Sequence, residues 1–240
     1  MGNSRWTSFR SAFRETDLWV AIDREHYRKE AERFTMDRIL FYRGILEGHI
    51  ALHPEFRDSL TPVVEPGGVH PLIKAMSGAA RAAGTGPMSA VAGAMAEYVC
   101  MDLLEKFSAD EVIIENGGDI FMKLAAPATV AVYAGNSPLS EKIALQPGPA
   151  DTPLSLCCSS GTVGHSLSYG VADACMIACR DGSLADAYAT AFCNEVKNKE
   201  MAGTITEKAL KTAGVLAAVI IKDDRVGMGG TIEIKIVSGN

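Results

Sequence analysis

The sequence lacks a long hydrophobic run. Its longest uninterrupted apolar segment, Val215 to Ile221, falls far short of the about 20 residues a bilayer-spanning helix needs. It also lacks an excess of positive charge: 23 Lys and Arg stand against 29 Asp and Glu, a net charge of −6, so a general grip on nucleic acid is not expected. No apolar h-region follows Arg5 and Arg10, and Trp6 stands where a myristoylation pattern needs Ser or Thr. A cytoplasmic location away from membranes is therefore expected. No low-complexity segment, internal repeat or long linker interrupts the chain, which argues against disorder. The cysteines (Cys100, Cys157, Cys158, Cys175, Cys179 and Cys193) form no C-x-x-C pair and lack zinc spacing. Most lie among apolar residues, so reduced core thiols are expected.

What is present is enough apolar residue, 48% of 240, for a sizeable core in one domain over 1–240. Residues 17–22 read as a strand and 24–58 as helical, with a break expected near Thr35. Residues 61–70, with two prolines and two glycines, read as a loop, and Pro71 opens a helix to about 82. Pro87 then starts a helix to about 106 whose first half is built of small residues: Ser89, Ala90, Ala92, Gly93, Ala94 and Ala96. Strands are expected at 112–114, 120–124, 129–134, 141–145 and 154–158. Residues 171–179 fit strand or helix. A helix over 183–197 has Ser183 as its expected N-cap, and another lies near 205–212. Val215–Ile221 and Thr231–Val237 are expected to close the chain as a β-hairpin turning at Asp223-Asp224. Helices grouped early and strands grouped in the middle and at the end point to an α+β architecture: an antiparallel sheet packed with helices.

Four constellations bear on chemistry. Gly84-Thr85-Gly86-Pro87 before a helix suits an anion, since free N–H groups gather at a helix start; the plainer reading is a loop and cap. Asn116-Gly117-Gly118-Asp119 after a buried strand allows close backbone approach, or is simply a hairpin turn. Ser159-Ser160-Gly161-Thr162, running on to His165, suits phosphate binding or general acid–base work by the histidine, or is a flexible loop. Asp186 and Thr190 are four residues apart, so they project from one face of a helix of mostly alanines. Their oxygens suit a hard cation such as Mg²⁺; an Asp favoured by the helix dipole is the alternative. Cysteine chemistry at Cys157-Cys158 beside His165 is a further reading that needs a thiolate-favouring environment.

In this order, Glu115-Asn116-Gly117-Gly118-Asp119, Ser159-Ser160-Gly161 and Ala185 to Ala191 resemble the motifs of the ApbE flavin transferases: N-x-GGD after a strand, a T-S-G loop and A-D-A-x-A-T-A on a helix. GTGPMSAVAGAMAE, SSGTVGHSLSYGVADA and LADAYATAFCNEV resemble more closely a bacterial and archaeal subgroup of ApbE relatives, over nearly the whole chain. The resemblance implies a T-fold-like α+β domain. It implies FAD or FMN as ligand or substrate and Mg²⁺ at the pyrophosphate, held by Asp186 and Thr190 with a main-chain carbonyl near Gly86 to Ser89. Gly84, Thr85, Gly86, Asn116, Gly117, Gly118, Asp119, Ser159, Ser160, Gly161 and Thr162 become the expected flavin-binding residues, and His165 the catalytic candidate.

The family's reaction cleaves FAD and transfers FMN to a Thr or Ser of an acceptor protein. Two departures bear on that reaction. GTGPMSAVAG replaces the family's GGIAKG and carries no lysine, and the H-I-I-D-P-x-T-G segment is missing. Two readings therefore stay open: Mg²⁺-dependent cleavage of FAD or a related flavin nucleotide, with FMN transfer, or a non-catalytic flavin- or nucleotide-binding relative. A homodimer is a further expectation, resting on the small-residue helix and the terminal strand.

Overall fold

Alternation of apolar and polar side chains builds the centre of the molecule. The computed structural model describes residues 5–162 and 169–237. β1 (Trp6–Phe13) and β2 (Thr16–Asp23) form a hairpin in the register Trp6↔Asp23 to Phe13↔Thr16. β3 (Val112–Asn116), β4 (Asp119–Lys123), β7 (Leu154–Ser159), β8 (Ala174–Cys179), β9 (Val215–Lys222) and β10 (Arg225–Gly230) continue an eight-stranded antiparallel sheet in the order β1-β2-β3-β4-β7-β8-β9-β10. A small second sheet, β11-β6-β5, joins Ile234–Ile236, Ile143–Leu145 and Val130–Ala131.

The helices are α1 (Glu30–Leu52), α2 (Glu55–Asp58), α3 (Pro71–Ala83), α4 (Val91–Phe107), α5 (Gly182–Glu195) and α6 (Met201–Leu210). Leu18, Val20 and Ile22 of β2 and Val112 and Ile114 of β3 point into a core shared with α1, α3 and α4. Their alternate neighbours Ala21 and Ile113 face the opposite side, where the small sheet covers Met122, Leu154 and Leu156. A third apolar cluster joins α5 and α6 to β8 and β9. The architecture is the expected α+β arrangement of helices on an antiparallel sheet.

Several boundaries differ from the sequence reading. α1 begins at Glu30 rather than 24 and runs unbroken through Thr35, which is fully buried with its hydroxyl donating to the Ala31 carbonyl at 2.8 Å. That internal bond satisfies the hydroxyl, so the β-branched residue does not interrupt the helix. The predicted strand at 129–134 contracts to Val130–Ala131. The partner of β9 is β10, not Thr231–Val237, whose Ile234–Ile236 pairs with β6 instead. β10 reads RVGMGG and resembles a turn, but α6 lies so close that a Cβ on Gly227 would come 2.5 Å from the Ala202 carbonyl oxygen. Ser183 is not the cap of α5: Asp181 holds that position and accepts the Leu184 N–H at 2.8 Å.

Candidate functional site

The small residues of α4 and α5 let two helices meet backbone to backbone. A Cβ on Gly93 would lie 2.2 Å from the Gly182 carbonyl oxygen, and one on Gly182 would lie 2.5 Å from that of Gly93. At this crossing each helix supplies an acid to the start of the other. α4 has no acidic residue in its first turn and no side-chain cap, leaving amides to be satisfied. Asp186 of α5 meets that need, its Oδ2 accepting the N–H groups of Ala92 at 3.1 Å and Gly93 at 2.9 Å. In return Glu97 of α4 accepts the Gly182 N–H at 2.7 Å. A 3-10 turn, Pro87–Ala90, separates the Gly84–Pro87 loop from α4, so it is the amides of the α4 start, not those of the loop itself, that the protein's own carboxylate takes.

Asp119 lies beside Asp186. Its Oδ1 accepts the Cys158 N–H at 3.1 Å, and both acids are buried. Burial, with the charge of Asp186 added, pushes the Asp119 carboxyl well above the usual carboxylate range. Burial likewise pushes Asp186 up to about 7, against the pull of its two amide donors. Two buried carboxyls that resist ionising together favour a shared cation. Asp186 keeps acceptor capacity beyond its two amides, and Asp119 and the Thr190 hydroxyl add hard oxygen donors of the kind Mg²⁺ takes. Among the described residues no three His, Cys, Asp or Glu side chains converge as a metal cage. A cation here would complete its shell with hydroxyl, carbonyl, water or phosphate oxygens, which is how Mg²⁺ usually binds.

Thr85, Gly86, Ser89, Asp119, Asp186 and Thr190 line one cavity of about 300 Å³, together with Arg57, Tyr169 and Asn194. An adjoining cavity of about 600 Å³ is walled by Leu46, Ile50, Met88, Val91 and Met95, and its lining also includes Thr16, Asn116 and the charged Arg14, Glu15, Arg43, Glu47 and Arg57. Arg57, Met88, Val91 and Ala92 line both, so the two form one groove.

Three of the four sequence motifs meet at this groove. Thr85 shares a 2.7 Å hydrogen bond with Ser89, whose hydroxyl also donates to the Gly86 carbonyl at 2.9 Å. Asn116 donates to the Ala92 carbonyl at 3.1 Å, tying β3 to the start of α4. Gly84 is the left-handed C-cap of α3, at φ 73°. Gly117 and Gly118, at φ 64° and 105°, make the two-residue turn from β3 to β4, as such hairpins require. These three glycines shape backbone rather than line the groove.

The fourth motif is placed differently. Among the described residues, Ser159, Ser160, Gly161 and Thr162 line neither cavity. Ser160 accepts the Thr162 N–H at 3.1 Å, Thr162 donates to Asp173 at 2.9 Å, and Gly161 lies against the Gly170 backbone. His165 lies outside the described residues. Burial pushes the Cys157 thiol well up and that of Cys158 up to about 12, the opposite of what a reactive thiolate needs. Arg57 was not among the expected site residues, and Met88 and Ser89 were expected only as part of the Gly86 to Ser89 stretch offering a main-chain carbonyl. Ser89 was legible as a polar residue in a small-residue helix start, whereas Arg57 comes from a distant segment with no motif.

Among the described residues no helix is long and apolar enough to cross a membrane. A UPF0280 protein of Methanocaldococcus jannaschii is 34% identical over 232 residues, covering 95% of this chain and 92% of that protein. A UPF0280 protein of Methanospirillum hungatei is 47% identical over 181 residues, 75% of this chain and 72% of that protein. Among solved structures, the fold matches the ApbE protein of Thermotoga maritima with a TM-score of 0.56 at 13% identity, covering 95% of this chain and 96% of that one. A mutant of the flavin transferase ApbE of Vibrio cholerae matches with a TM-score of 0.51 at 12% identity, covering 95% and 97%. A family model described as AbpE bacteria matches residues 2–220, and the chain therefore belongs to that ApbE-like family.

Proposed function

We propose that this protein binds FAD or a related flavin nucleotide together with Mg²⁺ along the joined groove and cleaves the pyrophosphate, passing FMN to a Thr or Ser of an acceptor protein. The observation that carries this reading is the junction of two unlike cavities. The smaller is lined by Asp119, Asp186 and Thr190 and suits a cation with phosphate oxygens. The larger combines aliphatic and methionine walls with a few charged and polar residues, among them Arg43 and Asn116, and suits a flat ring. Family membership and the ApbE-like fold support the choice of a flavin.

Asp186 and Thr190 would hold the metal, with Asp119 beside them. When bound, Mg²⁺ supplies positive charge that offsets the pyrophosphate and the departing nucleotide. The residues of α4 serve the shape of the groove. Asn116 and Asp186 fix the first turn of that helix, and the turn forms the wall shared by the two cavities. A second reading, binding without turnover, is favoured by the lysine-free GTGPMSAVAG segment.

Thermal unfolding with FAD and MgCl₂, alone and together, tests both, with the mixture analysed for AMP and FMN. Ligand at 100 times its dissociation constant stabilises by about 2.7 kcal/mol. A shift that needs both components, with AMP released, supports cleavage, and loss of AMP release in Asp186→Ala assigns it to this site. A shift without AMP supports the binding reading. No shift with any flavin refutes both.

A further inference from the structure

A phosphate ordinarily finds free amides at the start of a helix. In this chain Ala92 and Gly93 already donate to Asp186. The cavity that Ala92 and Asp186 line also holds Asp119, a second buried carboxyl. A pyrophosphate entering it meets negative charge and needs compensation from outside the helix. Beyond a metal, the cation available among the described residues lining that cavity is Arg57.

Two contacts fix the segment that carries Arg57. Phe56, beside it in α2, is fully buried. Ser59 lies directly on the Gly84–Pro87 turn, where a Cβ on Gly86 would come 1.8 Å from the Ser59 carbonyl oxygen. Arg57 therefore stands where the two cavities join. Its guanidinium donates to its sequence neighbour Asp58 at 2.7 and 3.1 Å, in a pair whose side chains are both 60% exposed. Such a pair is worth little and is readily exchanged for a stronger anion. Arg43, in the larger cavity, is held differently, by Glu15 at 2.7 Å and Glu47 at 3.0 Å.

We infer that Arg57 is the phosphate-recognising residue of the groove. Its guanidinium exchanges Asp58 for the pyrophosphate of a bound nucleotide, which sets the preference of the site for phosphorylated ligands over uncharged ones with the same ring. The inference rests on the nucleotide reading of the groove.

Dissociation constants for FAD, riboflavin and ADP, each with MgCl₂, test it in the wild type, Arg57→Ala, Arg57→Lys and Asp58→Ala, with thermal unfolding as the folding control. Arg57→Ala is expected to weaken FAD and ADP by about tenfold or more and to leave riboflavin within about twofold, since only the phosphates engage the guanidinium. Arg57→Lys recovers part of the loss, because it keeps the charge without the fork. Asp58→Ala frees the guanidinium and tightens ADP. Unchanged FAD and ADP affinity in Arg57→Ala, or an equal loss for riboflavin, overturns the inference while leaving a flavin site in place. ADP binding that depends on Arg57, in a wild type that binds neither flavin, removes the flavin and keeps Arg57. A wild type that binds none of the phosphate-bearing probes overturns both.

Discussion

Glu97 is held in the folded protein by an N–H and penalised by its surroundings, and the balance can be measured. Burial, with the charge of Asp181 added, raises its carboxyl from 4.5 to about 7, despite the Gly182 N–H that favours the ionised form. The folded pKa therefore lies above the unfolded one. The stability linked to this proton is complete below about 4.5 and is lost as pH rises through about 7. At 1.36 kcal/mol per unit, the loss between pH 5 and pH 9 is roughly 2–3 kcal/mol. For a chain of this length that corresponds to roughly 4–12 °C in melting temperature.

Glu97→Gln keeps an acceptor for the Gly182 N–H and cannot ionise. Urea unfolding of both proteins across this range should show the wild type losing that margin relative to the variant. Asp119 and Asp186 titrate in both, so their contributions cancel in the difference. Parallel stability–pH profiles would refute the assignment of a raised pKa to Glu97.

Two further pairs of substitutions test the helix crossing and the corrected cap. Gly93→Ala places a methyl 2.2 Å from the Gly182 carbonyl oxygen and should destabilise by about 3 kcal/mol, whereas Gly48→Ala, on α1 with nothing within 4 Å, should stabilise by about 0.5–1 kcal/mol; chemical denaturation that ranks the two alike sinks the close-approach argument. Asp181→Ala should cost about 1 kcal/mol of unfolding free energy through loss of the α5 cap. Ser183→Ala should be within about 0.5 kcal/mol of neutral or stabilising, because its fully buried hydroxyl has no hydrogen-bond partner among the described residues; a Ser183→Ala loss matching that of Asp181→Ala would restore Ser183 as the cap.

The parts of the fold legible in the sequence were those whose signal is local. Pro71 and Gly84 bracket α3, and Gly117-Gly118 between apolar runs marks the turn to β4. β10 was not legible, because Gly227 and Gly229 answer to the approach of α6 and Gly230 to the β9 backbone at Leu216–Ala217, not to a turn. Thr35 misled because its hydroxyl finds a partner one turn back in the same helix. In the site, Asp186 and Thr190 stood out through their spacing in an alanine helix. Arg57 could not be found that way: its place at the groove depends on Phe56 entering the core and on Ser59 meeting Gly86, both contacts between segments far apart in the chain.

The exchange of acids between α4 and α5 explains why the alanine-rich pattern around Asp186 and the small residues of the α4 start occur together. A carboxylate reaches the Ala92 and Gly93 amides only if the helices touch, and they touch only because Gly93 and Gly182 have no side chains. Asp186 thereby gains two fixed donors that orient its carboxyl, and loses the solvent that would keep it easily ionised. The same contact that stabilises the crossing prepares an oriented, desolvated acid at the polar cavity, and a cation bound there would relieve the repulsion between Asp186 and Asp119. Structural cap and proposed metal ligand are then one role. Removing Asp186 should cost folding stability even without metal, and the loss should grow when Mg²⁺ is added to the wild type.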